Sequence, residues 1–504
     1  MQAVSVGKRQ LSQTLWQVIA SEQWQLACVV LILVLYRLLV ITAQVPLFFD
    51  EAYYYFWSLS PDWGYYSKPP MVAWLIHLST LLIPVSDLSV KFLSPVLYGL
   101  TTLIVARIAN QLFDRSTVFW AGILFLTMPL ISFNSLFITT DAPLMFCWAL
   151  TVYLLVLALT HNRWREWLAS GVVCGLGLMS KYTMVLLPLS LLLYLSMSPE
   201  RRRHLRNLKL WAAASIAALV YLPNLLWNAA HHFISFRHTE EISQLDKSWF
   251  HFDRLLEFAG GQCVAFGMVA MVVLVVLMVR KDSYRDSRYR LLLSLALPYL
   301  LLMCLQAFLA RANLNWAAPV YITATVAVAG WLVQTRKQRW LGCAIVLNLA
   351  FMFGLYHYHF WQHQLGIQPS PKNDPYHRIL GWAAVGQQLS HWRQRYPDAY
   401  LLSESRELLA YLGFYTEPRF EQQIAVWNPQ HLVRNHYDLI PPLTAGTDTS
   451  YLFVSNKPLP SLIQDAFAQV DDLGEITTPV YPNVQRTIHL YYLKGFYGYG
   501  HQSQ

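Results

Sequence analysis

The chain has 504 residues, 55% of them hydrophobic and 13% charged, with a formal net charge of +9. Soluble domains carry about 25% charged residues. Many uncharged runs here reach roughly 18 residues or more, enough to cross a hydrocarbon core about 30 Å thick, so a string of soluble domains is excluded. The basic excess does not argue for a nucleic-acid partner, because it follows alternate loops rather than one patch.

The chain opens with Lys8 and Arg9, followed by an apolar run over 24–45. That run exceeds the roughly 7–15 residues of a signal-peptide core and no small-residue cleavage site follows it, so it reads as an uncleaved first span. Further spans are expected near 89–112, 117–137, 142–160, 166–180, 182–198, 209–228, 260–280, 291–310, 316–334 and 340–361, about eleven in all. Alternate loops carry Arg115, then Arg163 and Arg165, the cluster Arg201, Arg202, Arg203, Arg206 and Lys209, the group Arg280, Lys281, Arg285, Arg288 and Arg290, and finally Arg336, Lys337 and Arg339. Basic loops face the cytoplasm, which puts the amino terminus inside and the carboxy terminus outside. All six cysteines, Cys28, Cys147, Cys174, Cys263, Cys304 and Cys343, lie in apolar runs, which speaks against a disulfide framework or a Cys-rich zinc site.

The first outer loop, 46–88, contains an apolar stretch over 71–84 that is too short to span and reads as a helix lying at the interface. After about residue 362 prolines, asparagines and charges return. The segments 399–402 and 451–454 read as strands, and 379–395 and 404–412 as helices. The expected fold is therefore an all-α polytopic membrane bundle with juxtamembrane helices on its outer face and a small C-terminal α/β domain. The domains divide as 1–361 and 362–504.

Charged residues at membrane level are functional candidates by default. Asp50 and Glu51 follow the first span and precede the aromatic run Tyr53, Tyr54, Tyr55. A helix cap or a solvated loop would use the same residue types. Lys68 precedes Pro69 and Pro70, which hold it extended. It could meet a lipid phosphate as a compact cation, or snorkel to headgroups. Thr140 and Asp141 open a span ahead of Pro143, which a plain helix start would also explain. Lys181, Arg311 and one of His231 and His232 are expected at the same depth. The glycines in Gly175-Leu-Gly177 would let helices approach closely.

Taken together, Asp50-Glu51, Tyr66-Ser67-Lys68-Pro69-Pro70, Thr140-Asp141-Ala142-Pro143-Leu144 and Gly177-Leu178-Met179-Ser180-Lys181 resemble the motifs of integral-membrane glycosyltransferases that use polyprenyl-phosphate sugars. That group includes protein O-mannosyltransferases and the lipid A aminoarabinose transferases of bacterial envelopes. The resemblance covers roughly the first 200 residues, and Glu257–Gln262 and Asn315–Pro319 look like a bacterial branch. It implies a multi-pass protein of the bacterial inner membrane with a periplasmic C-terminal domain. The implied activity is inverting transfer of a sugar from a polyprenyl-phosphate donor to a lipid, lipopolysaccharide, glycan or protein hydroxyl. It further implies Asp50 as base, Glu51 or Asp141 orienting substrate, and Lys68, Lys181 and Arg311 facing the donor phosphate. Tyr53, Tyr54 and Tyr66 would contact substrate. Some members hold a divalent metal, for which Glu51, His231 and His232 would be the ligands. A lipid-linked sugar flippase shares the topology, but would show inverted repeats and midplane sites, and this chain has no evident repeat.

Overall fold

The computed structural model describes residues 22–243 and 250–500; Lys8 and Arg9 lie outside the described residues. The helices used below are α1 (Glu22–Gln44), α2 (Phe49–Ser58), α3 (Met71–Leu82), α4 (Leu93–Leu112), α5 (Arg115–Thr127), α6 (Asp141–His161), α7 (Trp164–Leu178), α8 (Leu186–Met197), α9 (Leu208–Ala230), α10 (Phe252–Phe266), α11 (Met268–Val279), α12 (Ser287–Leu309), α13 (Val320–Gln334), α14 (Gln338–Tyr356), α15 (Trp382–Arg395) and α16 (Arg406–Tyr415). Two compact units emerge. The first holds Lys68–Val72 and Lys91–His357 with most of α1; the second holds Ile41–Ser67, Ala73–Val90 and Tyr358–Gln504.

Among the described residues, six helices are long and apolar enough to cross a membrane: α1, the segment Asp87–Leu112 that ends in α4, α6, α9, α12 and α14. The pair α10 and α11 makes a seventh if counted as one span, but it bends by 112°. The continuous span expected over 260–280 is thus broken. Gly267 sits at the break with φ +91°, a conformation only glycine adopts without strain. The helix expected over 117–137 stops at Thr127, because Met128 precedes Pro129 and takes an extended ψ of 135°, as pre-proline residues do. The helices α5 and α13 and the segment Tyr182–Met197 are apolar but shorter.

The bundle has little hydrophobic force to hold helices together inside lipid, so close backbone approach matters. The contact of α7 with α9 shows it: a Cβ on Gly171 would lie 2.3 Å from the Ala213 carbonyl oxygen, and one on Gly175 would lie 2.9 Å from that of Ala217. Polar ties add to this packing. Arg37 on α1 is fully buried and donates from Nε to the Tyr356 hydroxyl at 3.1 Å and from Nη2 to the Leu126 carbonyl at 2.7 Å. One side chain thereby joins α1, α5 and α14.

The second unit carries a five-stranded mixed sheet in the order β2-β1-β3-β5-β4, where β1 is Tyr400–Ser403, β2 Ile424–Val426, β3 Ser450–Ser455, β4 Phe467–Tyr481 and β5 Val484–Phe496. Strand β1 pairs in parallel with β2 and β3, Leu401 facing Ile424 and Leu452. Consecutive buried residues at Leu401, Leu402 and Ser403 mark a strand covered on both faces, as parallel strands are. Burial of Leu402, Phe453, Leu493 and Phe496 on this sheet contributes on the order of 1.5–3 kcal/mol per side chain. Helices α15 and α16 pack together through Trp382 and Tyr411, stacked at 4.4 Å. The expected strands and helices of this region are all present within a few residues.

A carboxylate anchors the entry to this unit. Asp374 is 3% exposed. Its Oδ2 accepts from His359 Nε2 and from the Tyr481 hydroxyl, each at 2.9 Å, and its Oδ1 accepts from the Tyr376 amide at 2.7 Å. Burial works to raise the carboxyl's pKa, but the hydrogen bonds, led by that from His359, outweigh it and hold it below the usual range. A depressed carboxyl contributes stability that is present above its unfolded pKa of about 3.9 and is lost as pH falls through the lower folded value. Amide hydrogen exchange of the full-length protein, corrected for intrinsic rates, should therefore show the segments around Asp374 and Tyr481 losing protection below about pH 4. The Asp374→Asn variant should start about 1–3 kcal/mol less protected and lack that transition. An acid transition of the same size in the variant would assign it to another group.

Candidate active site

In the second unit, the acidic motif lies on α2. The chain enters extended through Phe48, with φ −78° and ψ 152°, and turns helical at Phe49. Glu51, 1% exposed, accepts from the Phe48 amide at 2.8 Å, a helix-capping bond made with a side chain three residues on. One oxygen of Glu51 thus fixes the entry to the helix. Asp50, one residue earlier, points elsewhere and keeps 36% of its side chain exposed. Its Oδ1 lies 3.6 Å from Nη2 of Arg406, the first residue of α16. The Arg406 guanidinium stands over the rings of Phe49 and Tyr53 at 5.0 and 5.2 Å.

The aromatic run after Asp50 is sequestered. Tyr53 is fully buried and Tyr54 nearly so. The Tyr53 hydroxyl accepts from the His436 amide, its ring meets Tyr437 at 5.0 Å, and burial pushes its pKa well up. Tyr55 donates to Glu421 Oε1 at 2.5 Å. Tyr54 packs on Trp57, which stacks on Tyr65 at 4.7 Å. The buried Tyr66 donates its amide to His436 Nδ1 at 3.4 Å. Residues 48–66 are therefore seated on the C-terminal elements. Arg406, His436 and Tyr437 have no counterpart in the sequence-level motifs. Hydropathy gives no signal for them, and Ser405-Arg406-Glu407 reads simply as an ordinary helix start.

In the first unit, Asp141 opens α6, 1% exposed. Its Oδ1 accepts from Lys181 Nζ at 2.6 Å and its Oδ2 from Asn315 Nδ2 at 2.5 Å. Both carboxylate oxygens thereby have a donor, one an ammonium and one an amide, and hydrogen bonds to a charged group are the strong ones. Lys181 is placed by the break after α7, where its amide bonds the Gly177 carbonyl at 3.0 Å, and 15% of its side chain is exposed. Asn315 comes from the 3-10 turn Leu314–Ala317 ahead of α13. Three separate motifs, Thr140-Asp141, Ser180-Lys181 and Asn315-Trp316, thus meet at one carboxylate. The half-buried Lys68 belongs to the same unit, and its strip is tied to this break by the bond from the Met71 amide to the Met179 carbonyl at 3.0 Å.

The remaining candidates come from the end of α9 and the segment after α12. Arg311 is exposed. His231 closes α9, its Nδ1 donating to the Trp227 carbonyl at 2.8 Å while its ring stacks on Trp227 at 4.0 Å. His232 follows in a left-handed turn with φ 54°. Among the described residues, no group of three or more His, Cys, Asp or Glu side chains is arranged to hold a metal. The residues expected to bind one, Glu51, His231 and His232, do not make such a set.

A separate apolar cavity of about 460 Å³ opens among α6 to α9, lined by Leu155, Trp167, Cys174, Tyr182, Leu191 and Ala217 among others.

Comparison with known proteins sets these features in a family. Residues 67–227 match the model of the dolichyl-phosphate-mannose-protein mannosyltransferases. The lipid A galacturonosyltransferase RgtD of Rhizobium johnstonii is 30% identical over 437 residues, covering 85% of this chain and 90% of that protein. An undecaprenyl phosphate-alpha-4-amino-4-deoxy-L-arabinose arabinosyl transferase from Pectobacterium carotovorum is 25% identical over 314 residues, 58% of this chain and 54% of its own length. The crystal structure of ArnT from Cupriavidus metallidurans bound to undecaprenyl phosphate superposes with a TM-score of 0.66 over 94% of this chain and 98% of that one, at 13% identity, which is a likeness of fold. With the extent of the match to RgtD, the chain belongs to the integral-membrane glycosyltransferases that draw on polyprenyl-phosphate sugars.

Proposed function

We propose that this glycosyltransferase moves a uronic acid, galacturonic acid, from a polyprenyl-phosphate carrier to a hydroxyl of lipid A or the lipopolysaccharide core, at the outer face of the bacterial inner membrane. The observation that carries the reading is the 30% identity to a lipid A galacturonosyltransferase along 90% of that protein; two lipopolysaccharide core galacturonosyltransferases also match, at 27% identity over shorter stretches. The match to the protein mannosyltransferase model covers only residues 67–227, so a protein acceptor has less support. In the same reading, the basic loops place the amino terminus in the cytoplasm, and about eleven crossings put the C-terminal domain, from about residue 362, in the periplasm.

The chemistry is a single inverting displacement. The acceptor oxygen forms a bond to the anomeric carbon as the bond from that carbon to the phosphate oxygen breaks. The electron pair leaves on the lipid phosphate, and the hydroxyl proton goes to a base. One carboxylate suffices, because no sugar–enzyme bond forms, in contrast to retaining glycosidases. Asp50 is the base in this reading: it stands half-exposed at the start of α2, with its Oδ1 3.6 Å from Arg406, and takes the proton of the acceptor hydroxyl. Glu51 orients it by fixing the helix start, and Tyr53, Tyr54 and Tyr66 hold that helix in place. Lys68 and Arg311 supply positive charge to the departing phosphate, which gains charge in the transition state. Lys181 acts through Asp141, which presents a fixed carboxylate to a substrate hydroxyl. The apolar cavity among α6 to α9 suits the prenyl chain.

The test is transfer of labelled sugar by the purified protein from synthetic polyprenyl-phosphate donors to defined lipid A. Product from the galacturonosyl donor is expected. Product from a mannosyl donor on a peptide, with none on lipid A, would replace this reading with the protein-directed one.

A further inference from the structure

An arginine fork in the second unit has less to do than its setting suggests. The Arg406 guanidinium carries five N–H donors in a rigid plane. It is held over Phe49 and Tyr53 at 5.0 and 5.2 Å, so its orientation is set. Yet among the described residues its one ion pair is the 3.6 Å approach to Asp50 Oδ1, too long for a hydrogen bond. Among the described residues no hydrogen bond engages its side chain, while 31% of that side chain remains open. Other buried or half-buried arginines of this unit are engaged by carbonyls: Arg393 bonds those of Pro397 and Ala399, and Arg486 those of Leu380 and His377. Arg378 stands over the ring of Phe48, the residue that precedes α2, at 5.8 Å. A structural arginine would be satisfied by protein. One that is oriented by rings, half-open and beside a candidate base is built to receive a planar anion.

We propose that Arg406 binds an oxyanion of the substrates through its fork, and so selects a charged sugar or acceptor. Two sources share this chemistry: the carboxylate at C6 of a uronosyl donor, and a phosphate on the lipid acceptor. The inference rests on the proposed reading of a glycolipid transferase with Asp50 as base, and it makes the C-terminal unit a contributor to specificity. The alternative role for Arg406, holding Asp50 in position, would act on every substrate alike.

The test compares parent, Arg406→Gln and Arg406→Lys full-length proteins in detergent. Donors are polyprenyl-phosphate galacturonosyl and galactosyl lipids, identical except at C6; acceptors are lipid A with and without its phosphates. The readout is KM, or Ki where a lipid binds without turnover, together with kcat. A charged, bidentate contact implies a rise in KM of roughly 10–100-fold in Arg406→Gln, with Arg406→Lys in between because it keeps charge and loses the fork. If the defect vanishes with the galactosyl donor, the ligand is the sugar carboxylate. If it vanishes with dephosphorylated lipid A, the ligand is the acceptor phosphate. A defect equal in all four pairings, or falling on kcat alone, overturns the proposal in favour of a positioning role. Parent rates unchanged by either substitution overturn it as well. If the parent itself uses only the galactosyl donor, the uronosyl reading falls, and the acceptor arm alone decides the role of Arg406.

Discussion

Replacing Asp50 by Asn should lower kcat by roughly 10²–10⁴-fold, the range a positioned general base contributes, with KM for the donor within about threefold of the parent. The side chain keeps its volume and loses its charge. The ion pair to Arg406 spans 3.6 Å between side chains that are 36% and 31% exposed, and its loss should itself cost about 0–1 kcal/mol. Glu51→Gln separates the neighbouring carboxylate. Glu51 is buried and caps α2 through the Phe48 amide, so its amide form retains an acceptor for that bond, and its kcat should fall far less than that of Asp50→Asn. Initial rates at saturating donor, with thermal unfolding measured on the same preparations, decide the matter. An Asp50→Asn protein working within tenfold of the parent would remove Asp50 as the base. Equal losses in the two variants would mean that the helix start, rather than one carboxylate, is what the chemistry needs.

The sequence made the motifs visible and concealed their partners. Asp50, Lys68, Asp141 and Lys181 could be picked out because ionisable residues at membrane boundaries are rare in apolar surroundings. That Asp141, Lys181 and Asn315 share one carboxylate could not, since they are 40 to 174 residues apart and hydropathy carries no pairing information. The C-terminal region shows the same limit from the other side. Its strands were legible as apolar runs, but Arg406, His436 and Tyr437 are polar or aromatic residues in a region where such residues are ordinary. Only the packing of α2 on α16 gives them meaning. The aromatic run Tyr53, Tyr54, Tyr55 illustrates an ambiguity of residue type: aromatic rings suit sugar surfaces, yet here they are buried among His436, Tyr437 and Phe414. The breaks at Gly267 and at Met128 were hidden for another reason. An apolar window is blind to a single residue that turns the backbone, although Gly267 and Pro129 are the residue types that do so.

The largest effect on stability should come from Asp141. Its carboxylate is 1% exposed and accepts from Lys181 and Asn315, so Asp141→Ala leaves a largely buried ammonium without its counter-charge. Breaking a buried pair by removing one partner costs about 3–5 kcal/mol, whereas replacing both partners by apolar groups is often close to neutral. Asp141→Leu combined with Lys181→Met should therefore recover most of the stability lost by either change alone, with a coupling of at least about 1.5 kcal/mol, read from unfolding in mixed detergent micelles. Activity separates the two meanings of the cluster. If Asp141 presents its carboxylate to a substrate hydroxyl, the double variant should be folded and still transfer sugar at a hundredth of the parent rate or less, on the order of what a strong catalytic hydrogen bond supplies. A double variant that is both stable and fully active would make the pair a fastening between α6 and the break after α7, and would leave the chemistry to Asp50 and the loop cations Lys68 and Arg311. An asymmetric result is informative as well. Asn315→Ala keeps the ion pair and removes one donor, so it should cost about 1–3 kcal/mol. If it nonetheless matches the double variant in lost activity, the orientation of the Asp141 carboxylate, rather than its charge, is what the reaction uses.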